Sequence, residues 1–214
     1  MQYFGGINKD NSSINTNTKF KNDFDIKAND STVEGENKVE NLGVAVFKED
    51  KLVGELSAIE TTAFLSIRNK VDRFLISIPD PLSENNYLDI YVTPKSSTNI
   101  KIDTSSSSPF IKINCEFTAQ IYSMTDNSKY LDPNSLNVIS NSCNSYLKSI
   151  LLDYLYKSSK DFKSDINGLG IFATKNFFTN TDFVDYDWEE TYKNAFFDVN
   201  VETSVKSGML INET

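Results

Sequence analysis

From Leu136 to Leu155 the apolar residues return every three or four positions: Leu136, Ile139, Cys143, Tyr146, Leu147, Ile150, Leu151, Tyr154 and Leu155. That spacing puts them on one face of an α-helix. Asn137, Asn141, Asn144, Lys148 and Lys157 fall on the other face, where water solvates them. Asp132 before Pro133 supplies an N-cap followed by a proline suited to the first helical position. The reading is one long helix over 136–170 that runs into a glycine-containing break, Phe162-Lys163-Ser164-Asp165-Ile166-Asn167-Gly168-Leu169-Gly170. Such a stripe needs an apolar partner, because most helical stability comes from packing.

The strands on either side supply it. From Phe110 to Tyr122, Ile111, Ile113, Cys115, Phe117, Ala119 and Ile121 alternate with Lys112, Asn114, Glu116, Thr118 and Gln120. Period two with one dry face suits a sheet covered on one side. Phe197, Val199, Val201, Thr203 and Val205 repeat the pattern near the end of the chain. Earlier, 42–47 and 51–54 flank Lys48-Glu49-Asp50 as a hairpin. Ser57-Ala58-Ile59-Glu60 is a capping box that opens a helix to about Asn69, with Ile59, Ala63, Phe64 and Ile67 inward. Shorter alternating runs carry Phe74, Ile76 and Ile78, then Leu88, Ile90 and Val92, then Ile100 and Ile102. A short helix is expected near 187–193. The fold class is α+β: a mainly antiparallel sheet with a long helix and shorter helices packed on it. Residues 1–20, rich in Asn, Ser, Thr, Lys and Gly, read as a flexible arm, and 21–214 as a single domain. The stripe and the odd-numbered face of 111–121 should bury against each other. Replacing Ile150 or Phe117 with alanine should then cost about 2–5 kcal/mol.

Composition excludes several functions. The chain of 214 residues carries a net charge of −9, with a pI near 4.6 and a mean hydropathy of −0.38. An acidic balance argues against nucleic acid, which needs clustered Lys and Arg. No apolar run approaches the length of a spanning helix. Met1-Gln2-Tyr3-Phe4-Gly5 lacks the pattern of a signal peptide, so the chain reads as a mature fragment. Histidine is absent. That removes Ser-His-Asp and Cys-His sites and His-ligated metals from this chain.

The remaining polar groupings read as architecture. Asp182, Asp185, Asp187, Glu189 and Glu190 form an acidic cluster that invites calcium, but without EF-hand spacing or its glycine. A solvated loop and helix start, with acids favoured by the helix dipole, is the better reading. Trp188 is read as a core plug beneath the last strand rather than an exposed partner anchor. Gly168-Leu169-Gly170 lacks the third glycine and preceding strand of a phosphate loop, so it reads as a helix stop. Asp165 caps or pairs locally, and Ser105 to Ser108 form a loop. Thirty acids give many accidental carboxylate pairs, none singled out by spacing. The sequence therefore yields no catalytic, cofactor-binding or metal residue and assigns no partner-binding residue.

Three stretches together resemble the Ger(x)C family of spore germination proteins. The first is Leu42-Gly43-Val44-Ala45-Val46-Phe47-Lys48 with Asp50-Lys51-Leu52-Val53-Gly54, then Glu60-Thr61. The second is Lys163-Ser164-Asp165-Ile166 with Gly168 and Gly170; the third is Asp187-Trp188 leading to the closing strand and Gly208-Met209-Leu210-Ile211. Their order matches the C-terminal part of such proteins over about residues 40–212. The resemblance implies the C subunit of a nutrient germinant receptor, a non-enzymatic lipoprotein on the outer face of the spore inner membrane. It implies membrane-embedded receptor subunits as partners, no cofactor, and a lipid anchor outside this chain. Neither Cys115 nor Cys143 resembles a lipidation site, and the family motifs call for no cysteine at either position, so two buried free thiols are expected. The competing reading is a secreted ligand-binding or cell-wall-glycan-acting domain. A deep pocket with convergent carboxylates and aromatics would favour it.

Overall fold

The computed structural model describes residues 43–123, 130 and 132–206; the expected arm and Gly208 to Ile211 lie outside them. Strands β1 (Val44–Lys48) and β2 (Lys51–Leu56) form an antiparallel hairpin with a bulge between Val46 and Phe47. Helix α1 (Ala58–Ile67) follows, and its capping box is complete: Ser57 accepts from Glu60 N while the Glu60 side chain accepts from Ser57 N. The main sheet holds β3 (Phe74–Pro79), β4 (Tyr87–Pro94), β5 (Asn99–Asp103), β6 (Phe110–Ser123) and β7 (Phe196–Lys206). Strand β6 is its axis. It pairs antiparallel with β4 through its second half and with β5 through its first, and parallel with β7 along its other side.

That parallel pair needs a long crossover, which α2 (Pro133–Tyr156) and the segments after it provide. Asp132 caps α2 by accepting from Asn134 N, with Pro133 in the first turn. Ile139, Cys143, Tyr146, Leu147, Leu151, Tyr154 and Leu155 are buried, as the stripe requires. Opposite them, the inner faces of β6 and β7 bury Ile111, Ile113, Cys115, Phe117, Ala119 and Ile121 with Phe197, Val199, Val201 and Thr203.

Three expectations need correction. The helix is not continuous to 170. It passes at Tyr156 into a single π-turn, Lys157–Asp161, and Lys163 then takes a left-handed φ of 50° that no helix continues. Next, α2 lies chiefly over β7 rather than β6; Ser140 Oγ donates to the Thr203 carbonyl and the Tyr156 ring meets Phe197 edge-on at 5.2 Å. Lastly, Ile150 is only half-buried, so Ile150→Ala is expected at the low end of the range, about 2 kcal/mol. A chemical-denaturation loss equal to that of Leu151→Ala would contradict this placement.

Cys115 and Cys143 are both free and buried. Burial pushes their thiols up to about 11 and about 12. Since the thiolate is the nucleophile, the native protein should resist iodoacetamide at pH 8. Denaturation without reductant should expose two labelled thiols by mass spectrometry; an unlabelled denatured chain would show a bridge.

Candidate functional site

The end of α2 is where the separate parts of the molecule meet. The π-turn swings Lys157 off the solvated face expected for it and toward α1. Its Nζ lies 2.7 Å from both carboxylate oxygens of Glu60 and donates to the Glu55 carbonyl at 3.1 Å. Glu60 thus completes its own cap and holds the π-turn. The Phe162 ring lies close against Gly54 of β2, where a Cβ would stand 2.2 Å from Cε1. A side chain at 54 would push the hairpin off the helix.

Beyond the turn, Asp165 organises the loop. Its Oδ1 accepts from Leu169 N at 2.9 Å, and Oδ2 accepts from Gly170 N at 2.7 Å and Trp188 Nε1 at 2.9 Å. The two amides open α3 (Gly170–Ala173), and the indole opens α5 (Trp188–Tyr192). One carboxylate therefore ties two helix starts together, a charge-assisted arrangement stronger than neutral hydrogen bonds. Gly170 lets the indole approach, since a Cβ there would sit 2.8 Å from Trp188 Cδ1 and Nε1. Gly168 turns the chain at φ 73°. Below, Ser158 Oγ donates to the Ser164 carbonyl at 2.8 Å and lies 3.0 Å from the Tyr192 hydroxyl, while Tyr154 donates to Asn167 Oδ1. Burial raises both tyrosines, so neither phenol serves as a base near neutrality.

The acidic cluster is dispersed. Asp182 completes a capping box with Thr179 on α4 (Asn180–Tyr186), a helix the sequence reading missed although Thr179 and Asp182 carry the cap spacing. Asp187, left-handed at φ 51°, caps α5. Glu189 pairs with Lys48 at 3.1 Å, and Glu190 with Lys193. Among the described residues no group of three or more metal-binding side chains comes together. Trp188 is a buried plug at 8% exposure, its ring tilted against Tyr192 at 5.7 Å. Ser105 to Ser108 form a loop whose Ser106 carbonyl accepts from the Tyr186 hydroxyl.

A cleft of about 270 Å³ opens here, lined by Lys163, Asp165, Gly168, Ile171, Trp188 and Glu189 among others. By residue type it matches the glycan alternative, with two carboxylates and an indole. Its geometry does not. Both Asp165 oxygens are taken by three structural donors, so the cleft offers one exposed carboxylate, Glu189 paired through one oxygen with Lys48, and not two convergent free ones.

The stretches singled out in the sequence thus converge: Gly54 and Glu60 meet Phe162 and Lys157, Asp165 and Gly170 meet Trp188, and Lys48 meets Glu189. The family model described as "Spore germination B3/ GerAC like, C-terminal" matches residues 42–208. The chain belongs to this family. A solved structure, the crystal structure of the GerBC protein, shares the fold at a TM-score of 0.64 and 17% identity, covering 78% of this chain and 51% of that one. The chain therefore spans about half the length of GerBC. No curated protein matches it at a significant level. Among the described residues no helix is long and apolar enough to cross a membrane.

Proposed function

We propose that this chain is the C-terminal part of the C subunit of a nutrient germinant receptor and that it acts by docking to the membrane-embedded receptor subunits. The observation that carries this reading is the junction around the π-turn. Motif residues serve packing there, Gly54 and Glu60 against Phe162 and Lys157, and Asp165 and Gly170 against Trp188, so they build the domain rather than a reaction centre. Function then falls to the surface, and the domain catalyses nothing. In the full-length protein a lipid anchor outside this chain holds it on the outer face of the spore inner membrane. An acidic surface is poorly suited to lie on anionic lipid without such an anchor. Deleting residues 40–214 in a spore-forming host, with the anchor kept, is expected to abolish the response to the cognate nutrient. Normal germination of that strain, or turnover of a wall glycan by the purified domain, would refute the proposal.

A further inference from the structure

We infer that the segment from α3 to α4, with Phe178 as its anchor, is the surface that docks into a partner receptor subunit, in an apolar socket rimmed by Lys or Arg side chains. This rests on the docking reading above and adds where contact is made. Phe178 directly precedes the Thr179 cap, a position whose apolar side chain ordinarily packs on the fourth helical residue. That residue is Phe183, and it is already covered: the Phe177 ring meets Phe183 at 5.5 Å and Tyr186 at 5.2 Å. The staple is made one residue early, and Phe178 is left fully exposed, at 103%. Ile171 and Val184 on the same segment stand 72% and 64% exposed. The fold gains nothing from burying these side chains, because it does not bury them.

The segment is nevertheless held firmly. Asn176 Nδ2 donates to the Ile102 carbonyl at 2.8 Å, and the Tyr186 hydroxyl to the Ser106 carbonyl at 3.1 Å. An aromatic on a held segment has only its own two side-chain torsions to order on binding, and such anchors dominate interfaces. Charge selects the occupant. Between 171 and 187 stand Asp182, Asp185 and Asp187 against the single Lys175. Anionic lipid is repelled by that collar, and a second copy would set acid against acid. A protein socket with a basic rim is attracted. Tyr122 on the outer sheet face serves as the control position: it is as exposed as Val184, but its ring already packs on Tyr91 at 4.8 Å, which also carries the Arg73 guanidinium at 3.8 Å.

The test is a photo-crosslinking amino acid placed at 178, 184 or 122 of the full-length subunit in spores, with adducts identified by mass spectrometry. Positions 178 and 184 are expected to capture a membrane-embedded receptor subunit, and position 122 to capture none. With the probe at 184, F178A or D185K should lower the yield about tenfold, the scale of a lost anchor. Both sites are exposed, so an unchanged circular dichroism melt verifies folding. Adducts with lipid only, with a second copy only, or with a receptor subunit from 122 alone would overturn the inference and leave the docking reading standing. No subunit adduct from any position, together with loss of co-purification with the receptor subunits, would overturn both.

Discussion

Replacing Asp165 with alanine is expected to lower the stability of the domain by about 3–4 kcal/mol, since hydrogen bonds to a charged acceptor contribute about 1.5–3 kcal/mol each before solvent screening. Three donors lose their acceptor at once: Leu169 N, Gly170 N and Trp188 Nε1. Gly170 and Leu169 are buried, and the indole is nearly so, so water cannot replace all three bonds cheaply. Asp165→Asn should cost about half as much, because its amide keeps one oxygen but loses the charge and turns an NH₂ toward a donor. The protein has one tryptophan, so its fluorescence reports this site directly. The expected readouts are a lower urea midpoint and a red-shifted native emission for Asp165→Ala. In a Trp188→Phe background the same substitution should cost less, because one of the three bonds is already gone. An unchanged midpoint, or strict additivity with Trp188→Phe, would show that Asp165 does not hold the junction.

The contrast between what was legible and what was not follows from range. Alternation in 110–122 and 197–205 located β6 and β7, because each apolar residue answers to its own face. The same signal says nothing about which strands pair. The parallel pairing of β6 with β7, and the placement of α2 over β7, come from the crossover that returns the chain beside its own axis. Helix periodicity likewise marked the stripe but not its end. Lys157 reads as a solvated lysine until Glu60, ninety-seven residues away in sequence, is seen to claim it.

Single residues of the site are legible in the sequence where their assembly is not. Asp165 as a local cap, Trp188 as a plug and Asp187 as a helix start are borne out. Gly168-Leu169-Gly170 was read as a helix stop; instead it leads into α3, with Gly168 supplying the turn and Gly170 the room for an indole. The small size of Gly54 and Gly170 is meaningful only against rings from elsewhere in the chain. That is long-range information, and a family resemblance carries it where periodicity cannot.

Phe64→Ala is expected to have the largest effect on the hairpin unit, costing about 3–5 kcal/mol as for other buried aromatics. Phe64 is 1% exposed and meets Tyr154 of α2 edge-on at 6.2 Å. It is the apolar centre of the contact between the β1–β2–α1 unit and the rest. Other ties include the Lys157–Glu60 and Lys48–Glu189 ion pairs, the Gly54–Phe162 contact and the Thr98 hydroxyl on the Ser66 carbonyl. Among the described residues the hairpin shares no strand pairing with the main sheet. Removing the ring therefore loosens a unit that strand pairing does not tie to the main sheet, and local opening becomes easier than global unfolding. Hydrogen exchange should show β1 and β2 losing protection first and by more than β6, which is braced on both sides. Lys157→Met should loosen the same unit but by less, because a partly exposed ion pair contributes little beside a buried ring. Equal loss of protection in β1 and β6 would mean that the hairpin unfolds only with the whole domain, and that the α1–α2 contact is not the seam drawn here.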